Sequence, residues 1–396
     1  MAFLSTLSDS RNFLHALRRF FQSAPGITVL LAVAWQLAFT IIGISISPDA
    51  STLAHMTHWD AGWYLHVIAT GYAESGSPAA PAFYPLFPLL VSAIHTLSFG
   101  LFSVELSALI LNTFALWMAL LALIHILRFH GVSRSGKVLA LSAFLCFPSA
   151  FFMHAFYGEA LFVAIAFWAY AFALQRKWWA TALLLAILTA SRLPSLLFVG
   201  LCSLEYLKSY QWNLQKAFNK QAGWFVLAPL GFIFYGLYLQ LVRGDFLAMF
   251  HAYGATDDWL YQKFNPNILG TLYQSCQQVF ASIIGGSFNY EIFINYALPL
   301  ASLFAIALSS VYVWYRLKKE GIPLLVFGLV SIVFYTLNSN VVSVHRYALA
   351  CIVIYVAVAL FAKHQLNKVL LALLCLASLA VQFFLYTKFV QSIFAG

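Results

Sequence analysis

Charge is what this sequence lacks most. Asp, Glu, Lys and Arg make up 8% of its 396 residues, and 63% of the residues are hydrophobic, whereas an ordinary globular chain carries roughly 25% charged residues. So few charges do not suffice to cover a soluble domain. The apolar runs are continuous rather than alternating, which favours helices over a transmembrane β-barrel. The composition therefore predicts an all-α protein that crosses a membrane many times.

Other absences narrow the function. The five cysteines have neither zinc-binding nor redox spacing. There is no glycine-rich phosphate loop after a strand and no convincing Ser-His-Asp order. The net charge of +9 forms no basic stripe with interleaved aromatics. These absences argue against a nucleotide- or nucleic-acid-binding domain, and residues 1–396 are predicted to form a single integral-membrane domain.

The distribution of basic residues predicts the topology. Residues 83–100 are apolar but carry Pro85 and Pro88. If this stretch only dips into the membrane or lies on it, most of the 21 Lys and Arg residues fall on the side of the N-terminus, which the positive-inside rule makes cytoplasmic. Spans of about 20 residues each then number about eleven. They are predicted at 26–46, 104–127, 138–153, 159–175, 178–191, 193–207, 223–242, 291–315, 322–338, 347–362 and 368–387.

Two long segments then face outward, and only they have room for a site. They are 47–100, which is predicted to carry interfacial amphipathic helices, and 243–290. Most of the 12 acidic residues fall on this outer side. Residues 27–46 are too long for the apolar core of a signal peptide, so they are predicted to be a retained first span.

The first outer segment contains one carboxylate between two tryptophans. Its sequence is His58-Trp59-Asp60-Ala61-Gly62-Trp63-Tyr64. A helix over 57–70 would place Trp59, Trp63 and Tyr64 on one broad side, with the aromatic rings in the headgroup layer. Asp60 would then lie at the membrane surface. An alternative stays open, in which Thr57 is an N-cap and Asp60 is merely the acid of a capping box.

Further polar residues lie in the two outer segments or near the predicted outer ends of spans, where charge is costly and often functional. Each has a plain alternative: the arginines snorkel to headgroups, Glu159 forms a structural tie with Arg192, and His251 is a structural histidine. The candidates are Tyr84, Tyr157, Glu159, Arg192, His251, Lys263, His345 and Arg346.

Several motifs together resemble the PIG-V family, which comprises GPI mannosyltransferase 2 and bacterial relatives. The first is Trp59-Asp60-x-x-Trp63-Tyr64, followed by Ala82-Phe83-Tyr84-Pro85-Leu86-Phe87-Pro88. Weaker matches follow in the same order. They are Tyr157-Gly158-Glu159-Ala160-Leu161-Phe162, the Ser191-Arg192 pair, Gly244-Asp245-Phe246-Leu247-Ala248-Met249-Phe250 and Arg346-Tyr347. Gly158 and Phe246 replace the family's usual Thr and Pro.

The resemblance implies a GT-C fold and a glycosyltransferase that takes a sugar, typically mannose, from a polyprenyl-phosphate carrier. It favours a bacterial protein of the inner (plasma) membrane that acts on a lipid-linked or cell-envelope glycan acceptor at the outer face. No metal or other cofactor is predicted, because no DxD motif lies near Asp60.

We hypothesise that Asp60 is the general base of an inverting transfer and that cationic side chains hold the donor phosphate. A multi-span lipid or sugar transporter or flippase is the alternative, and a non-catalytic subunit of a glycosylation complex is a third. The predicted phosphate-binding residues are Arg346, Arg192, His345 and Lys263. The predicted substrate-binding residues are Trp59, Trp63, Tyr64, Tyr84, Tyr157, Glu159 and His251.

Overall fold

The computed structural model describes residues 23–47, 53–73, 77–254 and 263–396. This part of the chain is helical and contains no strand. The α-helices of five or more residues are α1 (Ala24–Ile46), α2 (Ala61–Thr70), α3 (Leu86–Leu97), α4 (Val104–Phe129), α5 (Arg134–Leu145), α6 (Glu159–Leu174), α7 (Trp178–Leu188), α8 (Ser195–Ser209), α9 (Leu230–Arg243), α10 (Ile268–Ile284), α11 (Leu298–Leu317), α12 (Ile322–Thr336), α13 (Val344–Ala348), α14 (Ile352–Phe361) and α15 (Gln365–Val390).

Short helical segments join these elements. Three short α-helices are Leu214–Ala217, Ala248–His251 and Tyr290–Ile292. The 3₁₀ segments are Ala54–Met56, Ala80–Ala82, Ala150–Met153, Ala222–Leu227, Ala252–Gly254 and Lys318–Gly321, and Phe293–Ala297 is a π-helix.

Each predicted span contains at least part of a helix, which agrees with the predicted all-α membrane architecture. Among the described residues, five helical stretches are long and apolar enough to cross a bilayer by themselves. They are Ala24–Ile46, Val104–Phe129, Ala222–Arg243, Tyr290–Thr336 and Gln365–Val390, the fourth of which contains both α11 and α12. Three of the remaining predicted spans contain the shorter apolar helices α6, α7 and α14, of which α6 and α14 are buried along most of their length.

The centre of the bundle is α6. It packs against α4, α7 and α8, and it is buried along almost its whole length. Six of its sixteen residues are alanine, and small residues let neighbouring helices approach closely in a membrane. Its first residue, Glu159, is therefore held at the end of a helix that is packed on nearly all sides.

The predicted span 138–153 is wrong in its second half. Helix α5 ends at Leu145, before Pro148, and irregular backbone connects it to α6. Inside a membrane, backbone without helical hydrogen bonds is tolerated only where other groups satisfy its N–H and C=O groups. Gln36 of α1 donates to the Met153 carbonyl at 3.0 Å, and Asn112 of α4 donates to the Ala155 carbonyl at 2.8 Å. The irregular stretch is thus built into the core.

The two outer segments also differ in detail from the prediction. Helix α2 begins at Ala61, not near residue 57, and Trp59 precedes it with a φ of 56°. Helix α3 has 12 residues, or about 18 Å at 1.5 Å per residue. The predicted span 347–362 is broken between α13 and α14.

The second outer segment contains a helix whose apolar face is exposed at the protein surface. In α10, Leu269, Tyr273 and Ile284 are among the exposed residues, whereas Thr271 and Ser275 are buried against the protein. An exposed apolar face of this kind is typical of a helix in contact with lipid. The basic N-terminal residues Arg11, Arg18 and Arg19 and the acidic pair Asp257 and Asp258 lie outside the described residues.

Candidate active site

Asp60 lies immediately before α2, with its side chain turned into the protein. Its backbone N–H donates to the Tyr157 hydroxyl at 3.0 Å, and that hydroxyl donates to the His58 carbonyl at 2.9 Å. The Asp60 side chain makes no capping hydrogen bond to the helix. The capping-box alternative is therefore wrong, because the carboxylate contacts Arg346 instead of the first turn of α2.

Four charged side chains form one chain of ion pairs. Arg346 Nη1 lies 2.7 Å from Asp60 Oδ2, and Arg346 Nε donates to Glu159 Oε1. The same Glu159 oxygen pairs with Arg192. We call Asp60, Arg346, Glu159 and Arg192 the charge network. Residues separated by up to 286 positions meet here, which brings together the first outer segment and the starts of α6, α8 and α13.

The members of the charge network differ in exposure. The side chains of Arg346 and Glu159 are 5% and 4% exposed, whereas that of Asp60 is 35% exposed. Aromatic rings cover the buried members: the Arg346 guanidinium lies 4.6 Å from the centroid of the Tyr157 ring, and Arg192 lies 5.6 Å from that of Tyr347. Such contacts favour a desolvated cation. Asp60 is thus the carboxylate of the network that a substrate can reach.

A cavity of about 570 Å³ opens onto this network. Its volume lies within the range of ligand pockets, roughly 300–1,000 Å³. Aromatic rings form much of its wall. The candidates that line it are Asp60, Tyr64, Tyr84, Arg192, Lys263 and Arg346. The structure therefore brings the predicted base and three of the four predicted phosphate-binding residues to one cavity, and it places Glu159 directly behind them.

His345 does not line this cavity. It is fully buried, and its Nε2 lies 3.0 Å from the Ala395 carbonyl. Burial lowers the pKa of His345 to about 4, so the ring is neutral near pH 7 and supplies no charge to a phosphate. Its predicted phosphate-binding role has no support in this geometry, because the side chain points from α13 toward the C-terminal segment.

Three other candidates also lie off the cavity wall. His251 is exposed and contacts Asp245 at 2.7 Å, a hydrogen bond that lowers the pKa of the Asp245 carboxyl. Trp63 stacks on Phe83, with ring centroids 5.6 Å apart, and so supports the wall from behind. Trp59 is 47% exposed and meets the Phe394 ring edge-on.

Tyr157 has a different place from the predicted one. It is fully buried beneath the charge network, stacked on Phe152 with ring centroids 5.1 Å apart. Its hydroxyl is occupied by the backbone on both sides of Trp59. Tyr157 therefore positions the segment that carries Asp60 and does not face the cavity.

The network offers no ready-made metal site. No group of three or more His, Cys, Asp and Glu side chains is arranged to hold a metal ion anywhere in the described ranges. Asp60 and Glu159 are separated by the guanidinium of Arg346, which contacts both. The two carboxylates are thus neutralised by arginine rather than directed at a common point.

Part of the cavity wall was not foreseen from the sequence. Phe264 and Asn338 form an isolated antiparallel bridge, and both residues line the cavity. Phe394 and Gly396 line it from the C-terminal segment. Neither stretch carries a motif or an unusual charge. Their positions follow from long-range packing, for which the sequence gives no local signal.

No family model and no curated protein matches this sequence, so the resemblance to the PIG-V family stays a prediction. Several solved structures share its fold, two of which are described here. One is ArnT from Cupriavidus metallidurans bound to undecaprenyl phosphate, with a TM-score of 0.55 and 13% identity, which covers 88% of this chain and 62% of ArnT. The other is the Archaeoglobus fulgidus oligosaccharyltransferase in complex with zinc and sulfate, with a TM-score of 0.51 and 14% identity.

The second comparison covers 91% of this chain and 53% of the oligosaccharyltransferase. This chain thus spans less than two thirds of the length of either protein. The fold shared with both proteins is the GT-C fold, as predicted, and the chain is a multi-pass membrane protein. At these identities the comparisons define the fold and leave the activity to be argued from the site.

Proposed function

We propose that this protein is a membrane glycosyltransferase. In this proposal it transfers a sugar, mannose, from a polyprenyl-phosphate donor to a hydroxyl of a lipid-linked or cell-envelope glycan. The observation that carries the proposal is one cavity whose wall contains a reachable carboxylate, Asp60, together with Arg192, Lys263 and Arg346. A base and phosphate-binding cations are the two components that this transfer needs.

The charges around the cavity suit a phosphate donor. Asp60 and Glu159 balance the two arginines of the charge network, which leaves the ammonium of Lys263 as added positive charge on the wall. A polyprenyl-phosphate sugar is a phosphodiester with one negative charge. The leaving polyprenyl phosphate gains further charge as the bond breaks, and fixed cations stabilise that charge best in a dry site.

The proposed reaction is a single displacement. The acceptor hydroxyl oxygen attacks the anomeric carbon from the face opposite the phosphate, and its proton passes to Asp60. The bond between the anomeric carbon and the phosphate oxygen breaks, and its electron pair stays on the phosphate. The anomeric centre is inverted. Asp60 then releases its proton to water, and polyprenyl phosphate leaves.

The fold neighbours support the donor class. ArnT was solved with undecaprenyl phosphate bound, and the second neighbour is an oligosaccharyltransferase. The resemblance to the PIG-V family favours mannose as the sugar. The predicted topology supports a site on the outer face of the inner membrane, where the phosphate of a long polyprenyl chain lies.

The first experiment tests transfer and the role of Asp60. Purified protein in lipid nanodiscs is incubated with labelled undecaprenyl-phosphate mannose and membrane extract, and labelled products are identified. Asp60→Asn keeps the side-chain shape but removes the base, so we expect transfer to fall by about 10²–10⁴-fold. The matched control is Asp245→Asn, because Asp245 does not line the cavity.

Equal transfer by Asp60→Asn and the control would exclude Asp60 as the base. If wild-type protein transfers no sugar from a panel of polyprenyl-phosphate sugars, the glycosyltransferase proposal is wrong. In liposomes, movement of the intact labelled lipid between leaflets without a new product would instead identify a flippase.

A further inference from the structure

The segment after α15 folds back onto the candidate active site. Helix α15 ends at Val390, and residue 392 has a φ of 60°, which turns the chain toward the cavity. We call residues 391–396 the C-terminal strap. Phe394 and Gly396 of the strap line the cavity, and Ala395 is 1% exposed. The strap is therefore packed into the fold and forms part of the cavity wall.

One side of the strap holds the residues just before Asp60. Ser392 Oγ lies 2.9 Å from His58 Nδ1, and the Phe394 ring meets the Trp59 ring edge-on at 5.5 Å between centroids. Trp59 has a φ of 56°, which a large side chain adopts only when its surroundings hold it there. Besides the Tyr157 hydroxyl, the strap is part of those surroundings.

The other side of the strap holds the residue just before Arg346. His345 Nε2 lies 3.0 Å from the Ala395 carbonyl, a contact in which the ring nitrogen donates. Tyr290 anchors the strap from a third direction, because its hydroxyl donates to the Phe394 carbonyl at 2.6 Å. The strap therefore contacts the neighbours in sequence of both Asp60 and Arg346.

We infer that the C-terminal strap is a positioning segment, which sets the approach of Asp60 to Arg346 and closes one wall of the cavity. This inference rests on the proposed function, and it assigns His345 a place in the site other than phosphate binding. The strap acts through the charge network, so Phe394 and His345 are positioning residues. Catalysis depends on such placement, since a shift of about 1 Å can cost on the order of 10²-fold in rate.

The kinetic test compares substitutions within and next to the strap. Phe394→Ala removes the ring that contacts Trp59, so we expect kcat for mannose transfer to fall by about 10–10²-fold. The stoichiometry of undecaprenyl phosphate binding should stay unchanged, which a merely misfolded fraction would not allow. Ile393→Ala is the matched control, because Ile393 neighbours Phe394 but does not line the cavity.

Two substitutions of His345 test whether a replacement that keeps the hydrogen bond also keeps the activity. His345→Gln keeps an N–H donor for the Ala395 carbonyl and should retain most of the activity, whereas His345→Leu should resemble Phe394→Ala. If Phe394→Ala and Ile393→Ala give the same kcat, or if His345→Gln is as impaired as His345→Leu, the inference is wrong.

A cross-linking experiment tests the position of the strap independently of the proposed function. Ser392→Cys combined with His58→Cys, in a background without the native cysteines, should form a disulfide on mild oxidation, and Ile393→Cys with His58→Cys should not. Absence of the first disulfide, or a loss of transfer on forming it that reduction restores, would overturn the inference alone. A wild-type protein without transferase activity would overturn the proposed function while the cross-link still reports where the strap lies.

Discussion

At the scale of single residues, the central feature is that one oxygen of Glu159 serves two arginines. Arg192 and Arg346 both pair with Glu159 Oε1, and the side chains of Glu159 and Arg346 are almost fully buried. A buried charge that loses its partner destabilises a protein by about 3–5 kcal/mol. Glu159 therefore holds the two cations in place without any ligand.

This role of Glu159 leads to a prediction about ligand stabilisation. Glu159→Gln leaves Arg192 without its carboxylate and Arg346 with only that of Asp60, so we expect a lower melting temperature in detergent. We also expect undecaprenyl phosphate to raise that temperature more in Glu159→Gln than in wild type, because the phosphate restores negative charge. The control is Glu291→Gln, at an exposed position. Equal ligand-induced shifts in Glu159→Gln and wild type would contradict the placement of the phosphate beside the arginines.

At the scale of elements, the irregular connection between α5 and α6 positions the segment that carries Asp60. It passes under the charge network, and side chains of α1 and α4 satisfy its backbone. Gln36 is fully used there: its Nε2 donates to the Met153 carbonyl, and its Oε1 lies 2.7 Å from His154 Nδ1. Tyr157, at the end of this connection, in turn fixes the backbone before α2.

The connection can be tested through its stability. Gln36→Leu leaves the Met153 carbonyl and the His154 N–H without partners in an apolar interior, and each such group costs about 1–3 kcal/mol. We expect a clear fall in melting temperature. Leu37→Ala is the matched control, because Leu37 lies on the same helix and is 55% exposed. Equal melting temperatures for the two variants would show that the connection does not depend on Gln36.

At the scale of the whole molecule, the charge network and its cavity lie at one end of the bundle. Helices α6, α8 and α14 all begin near this end, and the loop after α14 lies at the other. The basic residues predict that the end with the cavity faces outward. The same end should then receive lipid-linked substrates from the outer leaflet.

Labelling of introduced cysteines from the two sides of the membrane tests this orientation. In a background without the native cysteines, Ala73→Cys should react with a membrane-impermeant maleimide in intact cells. Lys363→Cys should react only after the membrane is permeabilised. Both positions are exposed, so reactivity reports sidedness. The reverse pattern would place Asp60 in the cytoplasm and remove the outer-face assignment.

The local patterns of the sequence predicted much of this molecule. Long apolar runs determine membrane helices because backbone polar groups find no other partners in lipid, and each predicted span contains at least part of a helix. Arg192 and Arg346 were singled out because charge near the end of a span is costly. Asp60 was singled out by its place between two tryptophans, and Lys263 by its place in the second outer segment. At two of the boundaries that failed, the start of α2 and the end of α5, tertiary hydrogen bonds replace helical ones.

By itself, the sequence determined that this chain is a helical membrane protein and which charged residues deserved a role. Only the tertiary structure decided that Asp60 pairs with Arg346, that Glu159 joins both arginines, and that His345 binds the C-terminal strap. The physical reason is the distance along the chain over which each interaction acts. Hydrophobicity and helix formation act between neighbours in the chain, whereas the charge network joins residues up to 286 positions apart, which packing alone brings together.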